Sequence, residues 1–170
     1  MNLLIIQARM GSSRLPGKVL NEIKGYSLLE IQQMRIQDAK LVDKIVIATT
    51  TNESDDKIET FCADHGIVCH RGSEQDVLDR YYTAAKKYNA TNVIRVTSDC
   101  PLHHHTVIDF VIGEFLNSGV DYFSNSNFEP NFLEDGFDVE VFSFKALEEA
   151  WAKANKASER EHVTPYIKNS

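Results

Sequence analysis

The sequence has few cysteines, no long apolar run and a deficit of positive charge, and each shortage removes a class of function. Cys62, Cys69 and Cys100 are an odd number and form no framework. No basic start followed by an apolar stretch marks a secretory signal, so the expectation is reduced thiols in the cytoplasm. No apolar run approaches the ~20 residues of a membrane span, so no membrane partner is expected. Lysine and arginine number 18 against 25 acidic residues, a net charge of −7. A nucleic-acid partner is therefore not expected, since it would call for a broad basic surface. A nucleotide site needs only local positive charge and stays open. Repeats, linkers and low-complexity stretches are also missing. What remains is 170 residues, 42% hydrophobic and 25% charged, enough for one domain, 1–170, with a substantial core.

Strand and helix patterns alternate along that domain. Strands are expected at 3–6, 44–49, 67–70, 92–97, 122–124 and 139–143. Helices are expected at 27–38, from a Ser54 cap to about His65 with Gly66 closing it, over the stripe Val77, Leu78, Tyr81, Ala84, Ala85 and Tyr88, at 106–117 and at 144–155. Such alternation implies βαβ units and an α/β fold with a mostly parallel sheet. Ligands of such sheets lie beyond the carboxyl ends of the strands, so the loops after Ile6, Thr49, His70 and Thr97 should converge. One long irregular stretch, 125–135, has the length of a functional loop.

The densest chemistry follows the first strand: Gln7-Ala8-Arg9-Met10-Gly11-Ser12-Ser13-Arg14-Leu15-Pro16-Gly17-Lys18. Glycines let backbone N–H groups approach phosphate oxygens, and Arg9, Arg14 and Lys18 place three positive charges in ten residues of an acidic chain. A compact anion such as a nucleoside triphosphate fits this pattern; an ordinary charged surface turn is the plain alternative. A Walker loop does not fit. Five residues, not four, separate Gly11 from Gly17, Val19 stands where a magnesium-binding Ser or Thr belongs, and Pro16 removes a backbone donor.

The segment resembles A-R-x-x-S-x-R-[LF]-P-G-K, the nucleotide-binding loop of cytidylyltransferases that activate sugars such as 3-deoxy-manno-octulosonate and nonulosonic acids. It is closest to the branch serving spore-coat polysaccharide biosynthesis. The resemblance implies a Rossmann-like three-layer fold of the nucleotide-diphospho-sugar transferase (GT-A) type. It further implies CTP and a sugar as substrates, Mg2+ as cofactor and a possible homodimer. Ala8, Arg9, Met10, Gly11, Ser12, Ser13, Arg14 and Lys18 would hold the nucleotide, with Arg14 and Lys18 acting on the triphosphate. Family members usually continue past the length of this chain with a second metal-binding Asp, so the chain is expected to keep the nucleotide half of the site and lack that later segment.

Three further blocks carry candidates. In Thr97-Ser98-Asp99-Cys100-Pro101-Leu102, an Asp at a strand's carboxyl end is placed either to cap the next helix or to hold magnesium, which takes one or two carboxylates and fills its other positions with phosphate oxygens and water. The resemblance, through D-x-P-L, implies that Asp99 is the metal ligand and that Thr97 borders the sugar. In Arg71-Gly72-Ser73-Glu74-Gln75-Asp76-Val77-Leu78-Asp79-Arg80, Ser73 followed by Asp76 resembles a capping box. The resemblance implies instead that Gly72, Ser73 and Asp76 help to enclose the base. In Asp135-Gly136-Phe137-Asp138-Val139-Glu140, alternation puts Asp138 and Glu140 on one strand face, which would be plain exposed sheet or, as the resemblance implies, a sugar-hydroxyl site. Arg160-Glu161-His162-Val163-Thr164-Pro165-Tyr166 also matches, with a part in the sugar pocket or a dimer contact.

Two patterns read as structure. Cys62-x-x-His65 with Cys69-His70 suggests zinc superficially, but core thiols and turn histidines are expected. His103-His104-His105 is expected to be solvated. Two rival functions remain: a non-catalytic nucleotide-binding module of the same fold, and a transferase acting on a sugar 1-phosphate. The latter's loop carries a double glycine that Ala8–Leu15 lacks.

Overall fold

The computed structural model describes residues 1–12, 15–127 and 136–170. Strand β1 (Asn2–Gln7) is the centre of the sheet, and Leu3, Leu4, Ile5 and Ile6 have no exposed surface. Burial on both faces explains why this strand reads as an unbroken apolar run. A short hairpin, β2 (Glu22–Ile23) and β3 (Tyr26–Ser27), leads into helix α1 (Leu28–Ile36), where Ser27 and Glu30 form a reciprocal capping box. Then come β4 (Lys44–Thr50), α2 (Asp56–Asp64), β5 (Val68–Gly72), α3 (Val77–Lys87), β6 (Asn92–Thr97), α4 (His105–Ser118), β7 (Tyr122–Ser124), β8 (Glu140–Ser143), α5 (Phe144–Lys153), α6 (Ala157–His162) and α7 (Pro165–Lys168).

The six-stranded sheet runs β5-β4-β1-β6-β8-β7. Strands β5, β4, β1 and β6 are mutually parallel, and β8 runs antiparallel to both β6 and β7. One sheet face (Leu4, Ile6, Ile47, Ile94, Val96) packs on α1, α2 and α4 through Leu29, Ile58 and Ile108. The other (Leu3, Ile5, Val46, Val93) packs on α3, α5 and α7 through Leu78, Leu147 and Ile167. The three-layer α/β arrangement matches the expectation. The chain steps from β1 outward to β4 and β5, then returns to lay β6 on the other flank of β1. That reversal opens a crevice at the carboxyl ends of β1 and β6, the usual ligand position in open α/β sheets.

Several local expectations are corrected. Ser54 does not cap α2: a 3-10 turn, Glu53–Asp55, precedes the helix and puts Asp55 in the cap position. Asp55 makes no cap bond, because its carboxylate is turned back onto β4 and the first loop. Ser73 is not the cap of α3. Asp76 is, accepting the Asp79 N–H at 2.9 Å, while Ser73 Oγ accepts the Asp76 N–H at 3.0 Å. Strand β8 starts at Glu140, so Asp138 stands before it and does not share a strand face with Glu140. His103 is 1% exposed, not solvated. Gly66, at φ +64°, does follow α2 as a left-handed stop. The hairpin, α6 and α7 carry too few periodic apolar residues to be read from sequence. Of the long stretch 125–135, residues 128–135 lie outside the described residues.

Candidate functional site

The loop after β1 is tied down at Met10. Ala8 N–H donates to Ala48 O (3.1 Å) and Met10 N–H to Asp55 Oδ1 (2.7 Å), while Met10 O accepts from Ser12 N–H (2.9 Å) and Gly17 N–H (2.8 Å). Asp55 is 1% exposed, and its other oxygen accepts from the Thr50 N–H (3.2 Å) and hydroxyl (2.5 Å). One buried carboxylate thus joins the β4 end to the loop. Gly17 sits at φ +72°, and a Cβ there would meet Met10 Cε at 3.1 Å, so this turn needs glycine. It delivers Lys18 into the crevice, and buried Val19 anchors the turn in the core. Gly11 is exposed on this loop and Ser12 half-buried; Ser13 and Arg14 lie outside the described residues.

Asp99 faces Lys18 from the opposite loop, Oδ2 to Nζ 3.5 Å. Its carboxylate is 49% exposed and the ammonium 27%, so both can reach a ligand. Burial would raise the Asp99 pKa, but the Thr97 hydroxyl and the Lys18 charge outweigh it and hold it below the usual carboxylate range. The Asp99 loop is built from behind. Gln32 of α1, with no exposed surface, donates from Nε2 to Thr97 O (2.9 Å) and Cys100 O (3.2 Å). His103 places Nδ1 at 2.6 Å from Cys100 O and Nε2 at 2.9 Å from Asp138 O. Thr97 therefore supports Asp99 directly, and exposed Asp138 is drawn to the same corner.

The loop after β5 forms the third wall. A Cβ on Gly72 would meet Arg80 Cγ at 3.0 Å, so glycine lets the Arg80 side chain cross the strand end. Arg80 Nη1 donates to Ser73 O at 2.6 Å. Arg9 reaches Glu74 at 3.7 Å. Asp76 does not present a free carboxylate to a base: Arg160 of α6 grips it, Nε at 3.0–3.1 Å from both oxygens and Nη2 at 2.5 Å from Oδ2. Glu140 is likewise committed. At 6% exposure it pairs with Arg95 and accepts from the Tyr122 hydroxyl, the Thr164 hydroxyl and Lys168 Nζ, each at 2.8 Å. Its expected place on a sugar is corrected to that of a buried ion-pair centre. The physical reason is β8's position, which turns the carboxylate inward between β6 and α7.

These walls enclose two adjoining recesses. The smaller, about 250 Å³, is lined by Arg9, Ser12, Lys18, Thr97 and Asp99 among others. The larger, about 770 Å³, is lined by Glu74, Gln75, Arg80, Arg95, Glu161 and His162, and shares Gln7, Arg9 and Asp99 with the first. Arg95 was not singled out from sequence, and Arg80 stood there only as the last residue of the Arg71–Arg80 block, although a signal existed for both. Arg80 interrupts the apolar stripe of α3, and Arg95 interrupts the apolar run of β6. Cys62 and Cys69 pack into the same core beside each other, and His65 stacks on Phe61, as core thiols and a turn histidine should. Among the described residues no group of three or more His, Cys, Asp or Glu is arranged to hold a metal. Asp99 as one accessible carboxylate nevertheless suits magnesium shared with phosphate oxygens and water. No helix among the described residues is long and apolar enough to cross a membrane.

A sequence profile described as cytidylyltransferase matches residues 3–170. An uncharacterized protein of Methanocaldococcus jannaschii is 43% identical over 163 residues, 96% of this chain and 65% of that protein. The spore coat polysaccharide biosynthesis protein SpsF of Bacillus subtilis is 34% identical over 98% of this chain and 70% of its own length. Among solved structures, a cytidylyltransferase from Leptospira borgpetersenii superposes with a TM-score of 0.91 at 33% identity, covering 99% of this chain and 71% of that one. The chain thus spans about two thirds of the length of each of these relatives.

Proposed function

This chain belongs to the cytidylyltransferase family, and from that membership we propose that it binds CTP and transfers CMP to a sugar hydroxyl. The acceptor is a keto-sugar acid such as a nonulosonic acid, and the product serves a surface or spore-coat polysaccharide. The sugar oxygen attacks the α-phosphorus, the bond from that phosphorus to the bridging oxygen of the β-phosphate breaks, and pyrophosphate leaves. Little covalent chemistry falls to the protein in such a transfer. Positioning and charge neutralisation carry it.

The observation that carries this reading is the Lys18–Asp99 pair, 3.5 Å apart, projecting from two loops across the β1/β6 crevice. Lys18, Arg9 and the backbone around Gly11 and Ser12 hold the triphosphate in the smaller recess, with Arg14 on the same loop. Asp99 is the carboxylate that would hold magnesium, and the metal would supply charge neutralisation at the phosphates. Lys18 would then exchange its partner carboxylate for a phosphate, so neither charge is left unpaired. Gly72 and Ser73 border the base, and Asp76 acts there through the Arg160 clamp. Thr97 and Asp138 border the acceptor.

The test is pyrophosphate release from CTP and magnesium with a panel of keto-sugar acids, with CMP-sugar identified by mass. CTP binding without product from any acid would overturn the transfer reading and favour a nucleotide-binding module. Product from a sugar 1-phosphate alone would overturn the choice of acceptor.

A further inference from the structure

The larger recess holds a charge that makes no ion pair among the described residues. Arg80 has no exposed surface, yet among the described residues it forms no ion pair, and its one hydrogen bond there is Nη1 to the Ser73 carbonyl. Its Nε and Nη2 are buried without a partner, and it lines the 770 Å³ cavity. The neighbouring half-buried arginines carry carboxylate partners: Arg95 is paired with Glu140, and Arg160 with Asp76. Burying a guanidinium without a carboxylate is costly, and burial lowers the Arg80 pKa accordingly. Folded proteins keep such a group chiefly where a ligand completes it.

The geometry names the ligand's chemistry. With Nη1 spent on Ser73, the free Nε and Nη2 are the lateral edge of the guanidinium. That edge donates two parallel hydrogen bonds and matches the two oxygens of a carboxylate. Gln7, whose Oε1 is also buried and unpartnered, stands on the same wall and would accept from a hydroxyl. Glu74, Asp99 and Glu161 also line the cavity. They disfavour a second polyanion there but tolerate one negative charge bound at a fixed fork. The cavity shares Arg9 and Asp99 with the recess assigned to the triphosphate, so a molecule anchored at Arg80 lies next to the reacting phosphate.

We propose that Arg80 is the acceptor-recognition residue, its Nε and Nη2 binding the carboxylate of the sugar acid in the recess formed with Gln7 and Arg95. This rests on the transfer reading above. It explains why an arginine interrupts the apolar stripe of α3, and why Gly72 is needed to let that side chain pass.

The experiment compares 3-deoxy-manno-octulosonate and N-acetylneuraminate with their methyl esters and with a sugar 1-phosphate, by calorimetry in the presence of CTP, alongside product formation. At least one acid should bind more tightly than its ester by about 10- to 100-fold, the worth of one charge-assisted pair. Arg80→Lys, which keeps the charge but loses the fork, should erase that preference. Arg80→Met should do the same and unfold at no lower temperature than the parent, because it removes an uncompensated buried charge. Should Arg80→Met unfold early, Gln7→Glu decides: a fixed negative charge beside Arg80 should abolish acid binding and spare the ester. An acid preference that survives Arg80→Lys and Gln7→Glu overturns the assignment while leaving CMP transfer standing. Equal binding of acids and esters, or preference for the sugar phosphate, overturns it too. Absence of product from the parent chain with every acid removes the transfer reading itself.

Discussion

Replacing Glu140 with glutamine separates a buried structural charge from a sugar ligand. The carboxylate accepts from Tyr122, Thr164 and Lys168 on one oxygen and pairs with Arg95 on the other. Glutamine keeps the shape but offers one acceptor oxygen and one donor amide. If the oxygen serves the three-donor side, the amide faces the Arg95 guanidinium and leaves a buried charge unpaired. Breaking one partner of a buried pair costs about 3–5 kcal/mol. Lys168 is 39% exposed and adds little to that. For a chain of this size each kcal/mol moves Tm by about 2–4 °C, so Glu140→Gln should melt roughly 6–20 °C lower at neutral pH. The pH dependence has a definite sign. Burial would raise the Glu140 pKa, but Arg95 and Lys168 hold it below the ordinary 4.5. Its contribution is therefore complete above about pH 4.5 and fades as pH falls through the lower folded value. The Tm gap between parent and variant should be full at pH 7 and shrink steadily below 4.5. Glu149→Gln, which touches only an exposed helical pair with Lys153, is the control and should leave Tm unchanged. Thermal unfolding followed by circular dichroism over a pH series reads all of this. A Glu140→Gln protein that melts with the parent at pH 7, yet loses acceptor binding, would refute the structural assignment and restore the carboxylate to the sugar.

Three other perturbations address the nucleotide side. Asp55→Asn should destabilise by about 1.5–3 kcal/mol, since a charged acceptor of three donors is lost, and should weaken CTP more than cytidine because Met10 is released; calorimetric titration with both ligands checks it, and equal losses would disprove the link to the loop. Lys18→Ala should likewise weaken CTP by about 1.5–3 kcal/mol and leave cytidine unaffected, a selectivity that the same titrations would expose if wrong. Asp99→Asn should leave Tm nearly unchanged, because its pair with Lys18 is half-exposed, and should remove the magnesium dependence of CTP affinity; a variant that still responds to magnesium would show Asp99 to be only part of a turn.

The fold was legible because its signals are local. Leu3–Ile6, Lys44–Thr49 and Asn92–Thr97 are apolar runs of strand length, and amphipathic helical spacing separates them; that pattern admits little besides a parallel sheet between helix layers. The glycine-rich, basic loop after β1 was legible for a similar reason. Gly17 and Lys18 act through backbone conformation and charge within a dozen consecutive residues. Cap positions were less so: Ser54 and Ser73 have cap chemistry, but Asp55 and Asp76 one to three residues later took those positions through contacts with Met10, Thr50 and Arg160.

Long-range pairing was beyond reach. Asp138 and Glu140 look equivalent along the chain, two acids two residues apart. Glu140 becomes a buried centre only because β8 inserts beside β6 and brings Arg95, 45 positions away, against it. His103 is indistinguishable by sequence from His104 and His105, yet it alone fills the gap between Gln32, Cys100 and Asp138. The sequence by itself determined which segments become strands and helices, and which loop gathers glycine and positive charge, since neighbours along the chain settle those properties. Only the tertiary structure decided which charged side chains are spent on one another and which, like Arg80, form no ion pair among the described residues. Burial sets the worth of a charge, and burial depends on residues that meet only after the chain has folded.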